Sequence, residues 1–397
     1  MGRTLAAVVL LFGLSTAGLG CDPPVEARIV LVENLLRSHA GSEFHSIEDR
    51  LIAHGVPGVS IAVVWDGEID WAKGYGTTSL GGGPPLDAAK LLQSGSISKP
   101  VAAFAALQLV EAGLLSLDQD VNETLTSWQV PENPFTQLSP VTVRRLLGHT
   151  AGTTVSGFVG YSPSVPIPTL TQILDGVAPA NNVAIEVVQE PGSGFRYSGG
   201  GYVVLQQLIE DVTSMPMADV VRERLLLPAG MATATLEQPL PVWRHAEATS
   251  GHLFGTLAWG WNTHPELGAA GLWATPSDLA RFAIALQRAL AAAPGALLSQ
   301  ALAEEMVGMN LGIFRYGAGD AGVFFHAGQN LGYTSWMQAS IGGGHGAVVM
   351  INSSLAGNPN LCEGECALMS EIMGSIAQVY GWPCAFWGVG AGSSCWD

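Results

Sequence analysis

Ser96-Ile97-Ser98-Lys99 sets a hydroxyl and an amine three residues apart. Positions i and i+3 share one face of a helix, so the lysine nitrogen can reach the serine oxygen. Pro100 follows, and proline favours the first turn of a helix. The pair therefore falls at or near the amino-terminal end of the apolar helix predicted over Pro100–Ala112. There, free N–H groups and the positive end of the dipole stabilise an alkoxide or oxyanion. A lysine among apolar neighbours loses its proton near neutral pH and acts as a base. The chemistry on offer is nucleophilic acyl transfer. The plain alternative is a capping serine beside a surface lysine. With 29 serines and only three lysines, Lys73, Lys90 and Lys99, in 397 residues, a Ser-x-x-Lys arises by chance roughly 0.2 times. Alone, the motif does not decide.

Two further segments carry candidates. Gly192-Ser193-Gly194-Phe195-Arg196-Tyr197-Ser198-Gly199-Gly200-Gly201-Tyr202 puts Tyr197 in a glycine-rich turn before a helix. That tyrosine is either a packed loop aromatic or a phenol passing a proton beside the serine. Phe325-His326-Ala327-Gly328 puts a histidine at a strand end, with a glycine that would let a substrate backbone approach the edge. A lone histidine such as His326 is more often a satisfied structural residue than a catalyst. No Gly-x-Ser-x-Gly elbow, His-Glu-x-x-His zinc motif or Gly-x₄-Gly-Lys phosphate loop occurs. No metal site and no cofactor site is expected.

These residues need a scaffold. Val59–Trp65 and Ile69–Tyr75 flank Asp66-Gly67, a strong hairpin signal. Gly322–His326, Tyr333–Ser340 and Ala347–Asn352 read as three more strands, and Ala367–Tyr380 as a helix. Helical periods fill the middle: Pro100–Ala112, Val141–Leu147, Gly201–Thr213, Ala218–Leu226 and Pro276–Ala293. Strands at both ends and helices between predict an α+β domain over 46–380. Its antiparallel five-stranded sheet would come from 56–76 and 320–353, with a helical insertion over about 100–290. The cleft between sheet and insertion is the expected site.

Composition narrows the function. Sixteen Lys+Arg against 33 Asp+Glu give a net charge of −17, a field that repels nucleic acid and anionic membranes. The apolar share of 48% excludes a disordered or coiled-coil chain. Met1-Gly2-Arg3 and the apolar run Leu5–Leu14 predict a signal peptide over 1–20, too short to span a bilayer. Residues 21–45 then form a lead-in tether. Cys21 stands where a bacterial lipoprotein cysteine stands, with Gly18 replacing the expected Leu; the alternative is ordinary cleavage after Gly20. A lipid anchor there would be the one membrane contact. Cys362, Cys366, Cys384 and Cys395 cluster at the end, two of them in the tail 381–397. Two disulfides fit this exported, even-numbered set better than zinc does.

Ser96-x-x-Lys99, then Tyr197-Ser198, then His326-x-Gly328 resembles the serine β-lactamase and penicillin-binding-protein superfamily. The likeness is strongest to its class C-like branch of D-aminopeptidases, DD-carboxypeptidases and family VIII esterases. Flanking segments are similar too: Val56-Pro57-Gly58-Val59, Leu146-Leu147-Gly148-His149-Thr150-Ala151-Gly152, and Gly268–Leu279, so the resemblance covers about 46–378. It implies a β-lactamase/transpeptidase-like fold and an acyl-enzyme on Ser96. Lys99 would accept or relay the proton, and Tyr197 would face the leaving group as acid or base. The N–H groups of Ser96 and Gln329 would form the oxyanion hole, beside Gly328 and Ser198. His326 would orient the substrate or complete the proton network.

Two departures matter. Gly199 stands where the class C enzymes carry an asparagine that holds the substrate amide. His326 replaces a lysine that pairs with a substrate carboxylate, and histidine is a weaker anchor at neutral pH. The expectation is an esterase, amidase or D-amino-acid peptidase rather than an efficient β-lactamase. The competing readings are a catalytically silent cell-wall-binding or regulatory protein, and an acyltransferase. His149 is expected to brace a turn. Trp259, Trp261 and Trp273 read equally as cleft lining or core.

Overall fold

The apolar run after Pro57 folds as strand β1 (Gly58–Trp65), which turns at Asp66-Gly67 into β2 (Glu68–Gly76). Both turn residues have positive φ, 52° and 78°, the twist a two-residue hairpin loop requires. Four later strands complete the sheet: β3 (Phe314–Tyr316), β4 (Val323–Asn330), β5 (Tyr333–Ser340) and β6 (Gly346–Ile351). Their order is β2-β1-β6-β5-β4-β3, antiparallel throughout. This computed structural model describes residues 23–37, 43–79, 82–254, 257–354 and 364–382.

The sheet therefore has six strands, not five. The addition, β3, lies between Gly312 and Gly317, and three residues are too few for a period-two pattern to register. β4 also continues to Asn330, so His326 lies inside the strand and not at its end.

Strand alternation sorts the sheet residues between two cores. Val59, Ile61 and Val63 turn to one face, where helices α1 (Val25–Asn34) and α7 (Glu365–Tyr380) cover them with Val32, Leu368, Ile372 and Ile376. Helix α2 (Ile47–His54) joins that layer through Leu51. Ala62 and Val64 turn to the other face with Phe324 and Met337. There they meet helices α3 (Ser98–Glu111), α4 (Gly199–Thr213), α5 (Leu267–Ala270) and α6 (Pro276–Leu290).

The segment read as a tether is a docked element over residues 23–37. Val32 and Leu36 are wholly buried, and Arg28 forms a bidentate pair with Asp70 of β2. Burying two aliphatic side chains contributes about 1.5–3 kcal/mol each, against at most about 1 kcal/mol for a partly exposed ion pair. Burial holds this helix in place.

The stretch between the strand groups also contains short strands. Leu92–Gln93 pairs with Trp273–Ala274, and Gly251–Leu253 sits between Leu257–Gly260 and Ser353–Ser354. Among the described residues, no helix is long and apolar enough to cross a membrane. Cys366, in the first turn of α7, is disulfide-bonded. Cys21, Cys362, Cys384 and Cys395 lie outside the described residues, and the signal segment 1–20 does too.

Candidate active site

Ser96 occupies a 3₁₀ turn, Gly95–Ile97, that runs directly into α3. The helix is buried from Ser98 to Leu107, in keeping with the unbroken apolar run Pro100–Leu107. The turn is pinned on two sides. Ser98 Oγ donates to Gly95 O at 2.7 Å and accepts from Leu272 N–H at 3.0 Å. Ser335 Oγ, on β5, donates to Ser94 O at 2.8 Å. Gly95 has φ 52°, and a Cβ there would stand 2.5 Å from Gln329 N. Only glycine lets the nucleophile turn and β4 come this close. The Ser96 and Gln329 amides thereby flank one junction.

Lys99 is 1% exposed. Its Nζ donates to Ser96 Oγ at 3.0 Å and to Ala269 O, on α5, at 2.8 Å. The rings of Tyr197 and Tyr202 lie 5.0 and 5.8 Å from the nitrogen. Among the described residues no carboxylate pairs with it. Burial without a counter-charge disfavours the ammonium form and brings the lysine down to about 7. At neutral pH a large fraction is the free amine, which can take the Ser96 proton.

The Tyr197 phenol is hydrogen-bonded to Ser96, and burial pushes it above the ordinary tyrosine value of about 10. It is a neutral phenol at working pH. His149 braces this turn. The Ser198 N–H donates to His149 Nδ1 at 3.1 Å, and the imidazole packs 4.4 Å from the Tyr197 ring. Burial first, then the nearby Lys99, holds His149 down at about 3.

His326 faces inward on β4, 2% exposed. Its Nδ1–H donates to Ala327 O at 2.6 Å, which leaves Nε2 as the lone-pair nitrogen, buried and without a partner among the described residues. Burial and the nearby Lys99 lower it to about 3. A neutral imidazole cannot serve as a cationic anchor for a carboxylate.

Two assignments need correction. The space above Gly328 is not open to a substrate backbone: a Cβ there would lie 1.9 Å from Ser94 O, so the chain's own turn fills it. Ser198 is a helix cap, not a substrate contact. Its Oγ accepts from Gly201 N–H at 3.0 Å and from Thr153 Oγ1 at 2.9 Å, and donates to Thr154 O at 2.7 Å. At Gly199 a Cβ would touch the Phe158 ring at 3.1 Å. The tryptophans divide: Trp273 is wholly buried against Trp261 and Tyr333, whereas Trp259 is 40% exposed.

Sequence reasoning missed the Ala269 carbonyl and Phe314. The first is a backbone atom with no residue signature. The second belongs to the unanticipated strand β3, where its ring stacks 5.2 Å from His326. No group of three or more His, Cys, Asp or Glu forms a metal site among the described residues.

Comparison with known proteins is consistent with this geometry. Residues 44–360 match the Beta-lactamase family. "Penicillin-binding protein 4" of Amycolatopsis lactamdurans is 29% identical over 76% of this chain and 82% of its own length. "Penicillin-binding protein 4*" of Bacillus subtilis is 29% identical over 49% of this chain, which spans only 40% of that longer protein. Among solved structures, the octameric penicillin-binding protein homologue from Pyrococcus abyssi superposes with a TM-score of 0.66. It has 24% identity and covers 84% of this chain and 76% of its own. The D-amino acid amidase from Ochrobactrum anthropi SV3, complexed with L-phenylalanine amide, gives 0.63 at 24% identity, covering 82% and 96%. Because the family match runs through every strand of the central sheet, the chain belongs to the beta-lactamase family, and its chemistry is of the serine hydrolase or acyl-transferase kind.

Proposed function

We propose that this protein hydrolyses esters, amides or D-amino-acid peptides through an acyl-enzyme on Ser96, with esters and amides ahead of substrates that end in a free carboxylate. The observation that carries the reading is the buried, unpaired Lys99 amine 3.0 Å from Ser96 Oγ. Lys99 takes the hydroxyl proton as Oγ bonds to the substrate carbonyl carbon, and the carbonyl electron pair moves onto oxygen. The Ser96 and Gln329 amides receive that oxyanion. Collapse breaks the bond to the leaving alcohol or amine, which takes its proton from the Tyr197 phenol. Water then attacks the ester, gives its proton to the Tyr197–Lys99 pair, and Ser96 leaves with a proton restored.

Neutral His326 supports the order of substrates. It offers no positive charge to a terminal carboxylate, and Gly199 offers no amide, so β-lactam turnover should be weak. The fold likeness to an amidase supports the amide branch. We further propose that the protein is exported to the cell envelope, on the strength of the Leu5–Leu14 run, with Cys21 as lipid anchor and Cys362, Cys366, Cys384 and Cys395 in two disulfides. Mass spectrometry of the mature amino-terminal peptide distinguishes a lipidated Cys21 from plain cleavage.

The test is to expose the mature protein and its Ser96→Ala variant to a fluorophosphonate probe and to p-nitrophenyl acetate and butyrate. Labelling and turnover that vanish in the variant are expected. A wild type that neither labels nor turns over would leave a silent binding protein.

A further inference from the structure

Tyr197 lies at the edge of an aromatic row that the acyl-enzyme chemistry does not use. Phe314 is half-buried, with ring centroids 5.2 Å from His326, 6.4 Å from Tyr197 and 6.3 Å from Phe195. The row continues to Phe325 at 5.9 Å and from there to Trp336 at 5.2 Å. Phe195 is 60% exposed and sits two residues from the half-buried phenol of Tyr197. A large ring left in water beside a reaction centre has lost burial that a ligand can restore.

Charge does not select at these rings. Arg196 and Arg315, which flank them in sequence, are exposed, and each donates Nε–H to a backbone carbonyl, Thr153 O and Gly317 O, at 3.2 Å, which leaves the guanidinium charge in place. What the rings offer is apolar area.

Tyr197 protonates the departing group, so whatever flanks its ring flanks that group. We infer that Phe195 and Phe314 form the leaving-group subsite, and that it selects apolar leaving groups, aryl ones above all. This rests on the acyl-enzyme reading above. The two rings are specificity residues and move no proton.

The test holds the acyl group constant and varies what leaves: ethyl acetate, phenyl acetate, 4-acetoxybenzoate and its methyl ester. Rates are divided by those of hydroxide, which removes differences in leaving-group acidity. Wild type should favour phenyl acetate over ethyl acetate by about tenfold or more in kcat/KM beyond the hydroxide ratio. Phe195→Ala and Phe314→Leu should each lower the phenyl-to-ethyl ratio by about tenfold, and Phe195→Arg should raise the carboxylate relative to its methyl ester. Fluorophosphonate labelling of Ser96 is measured on every preparation. If wild type labels but its series tracks hydroxide, or if both variants lower aryl and ethyl esters equally, the subsite is wrong while the acyl-enzyme stands. If wild type does not label, both fall. Because Phe195 is largely exposed, its variants remain informative even if Phe314→Leu does not fold.

Discussion

The two faces of the central sheet bury cations in opposite ways. Under α7, Arg50 of α2 forms a bidentate pair with Glu371, whose side chain is 2% exposed, and His54 lies 3.2 Å from the same carboxylate. Burial works against the Glu371 charge, yet hydrogen bonds from His54 and Arg50 hold its pKa below the usual carboxylate range, and the same contact raises Arg50. On the cleft face, Lys99 is buried more deeply than Arg50, whose side chain is 14% exposed, and its hydrogen bonds go to a hydroxyl and a carbonyl, so it yields its proton near pH 7. Desolvation is large in both places. A carboxylate turns it into a fixed charge, and the lack of one turns it into a base. The first arrangement holds the fold together, and the second does chemistry.

The contrast can be broken most sharply at the nucleophile. Ser96→Ala should lower kcat by about 10⁴-fold or more with thermal unfolding unchanged. Replacing the unpaired lysine comes next. Lys99→Arg, which cannot shed its proton, should cost about 10³-fold in kcat, and Lys99→Met should be as inactive while melting no lower than wild type, since an apolar side chain suits that pocket. On the opposite face the signs reverse. Glu371→Gln strands Arg50 and should destabilise by about 3 kcal/mol, read in urea unfolding, with kcat of the folded enzyme intact. The Glu371 contribution is present above the unfolded carboxylate pKa and is lost as pH falls through its lower folded value. The smallest effect belongs to Ser198→Ala. A lost cap should cost about 1 kcal/mol of stability, with no change in the preference among substrates, because the hydroxyl faces α4 and not the cleft.

Much of this was legible in the sequence for a physical reason. Ser96 and Lys99 are one turn apart on a local element, so their meeting depends on spacing alone. The strands β1, β2, β5 and β6 announce themselves by apolar runs and the Asp66-Gly67 turn. What stayed hidden depends on tertiary approach. Gly328 signals that something comes close, but not that it is the Ser94 carbonyl instead of a substrate. Ser198 lies beside Tyr197 in sequence, yet cap geometry turns its hydroxyl away. In residues 23–37 the apolar positions run together from Ile29 to Val32 instead of marking one helix face, and Val32 finds its cover on α7, more than 300 residues later. Phe314 belongs to a strand of three residues, below the length at which a pattern exists.

The most direct test of the central claim uses the scarcity of lysine. Protein labelled with ¹³C at lysine Cε should show three signals, assigned by replacing Lys73, Lys90 and Lys99 in turn. The Lys99 signal should titrate at about 7, and the fluorophosphonate labelling rate of Ser96 should rise with pH through that same value. A Lys99 signal that titrates near the ordinary lysine value of about 10.4 would mean the amine is charged at neutral pH, and its assignment as the base would be wrong.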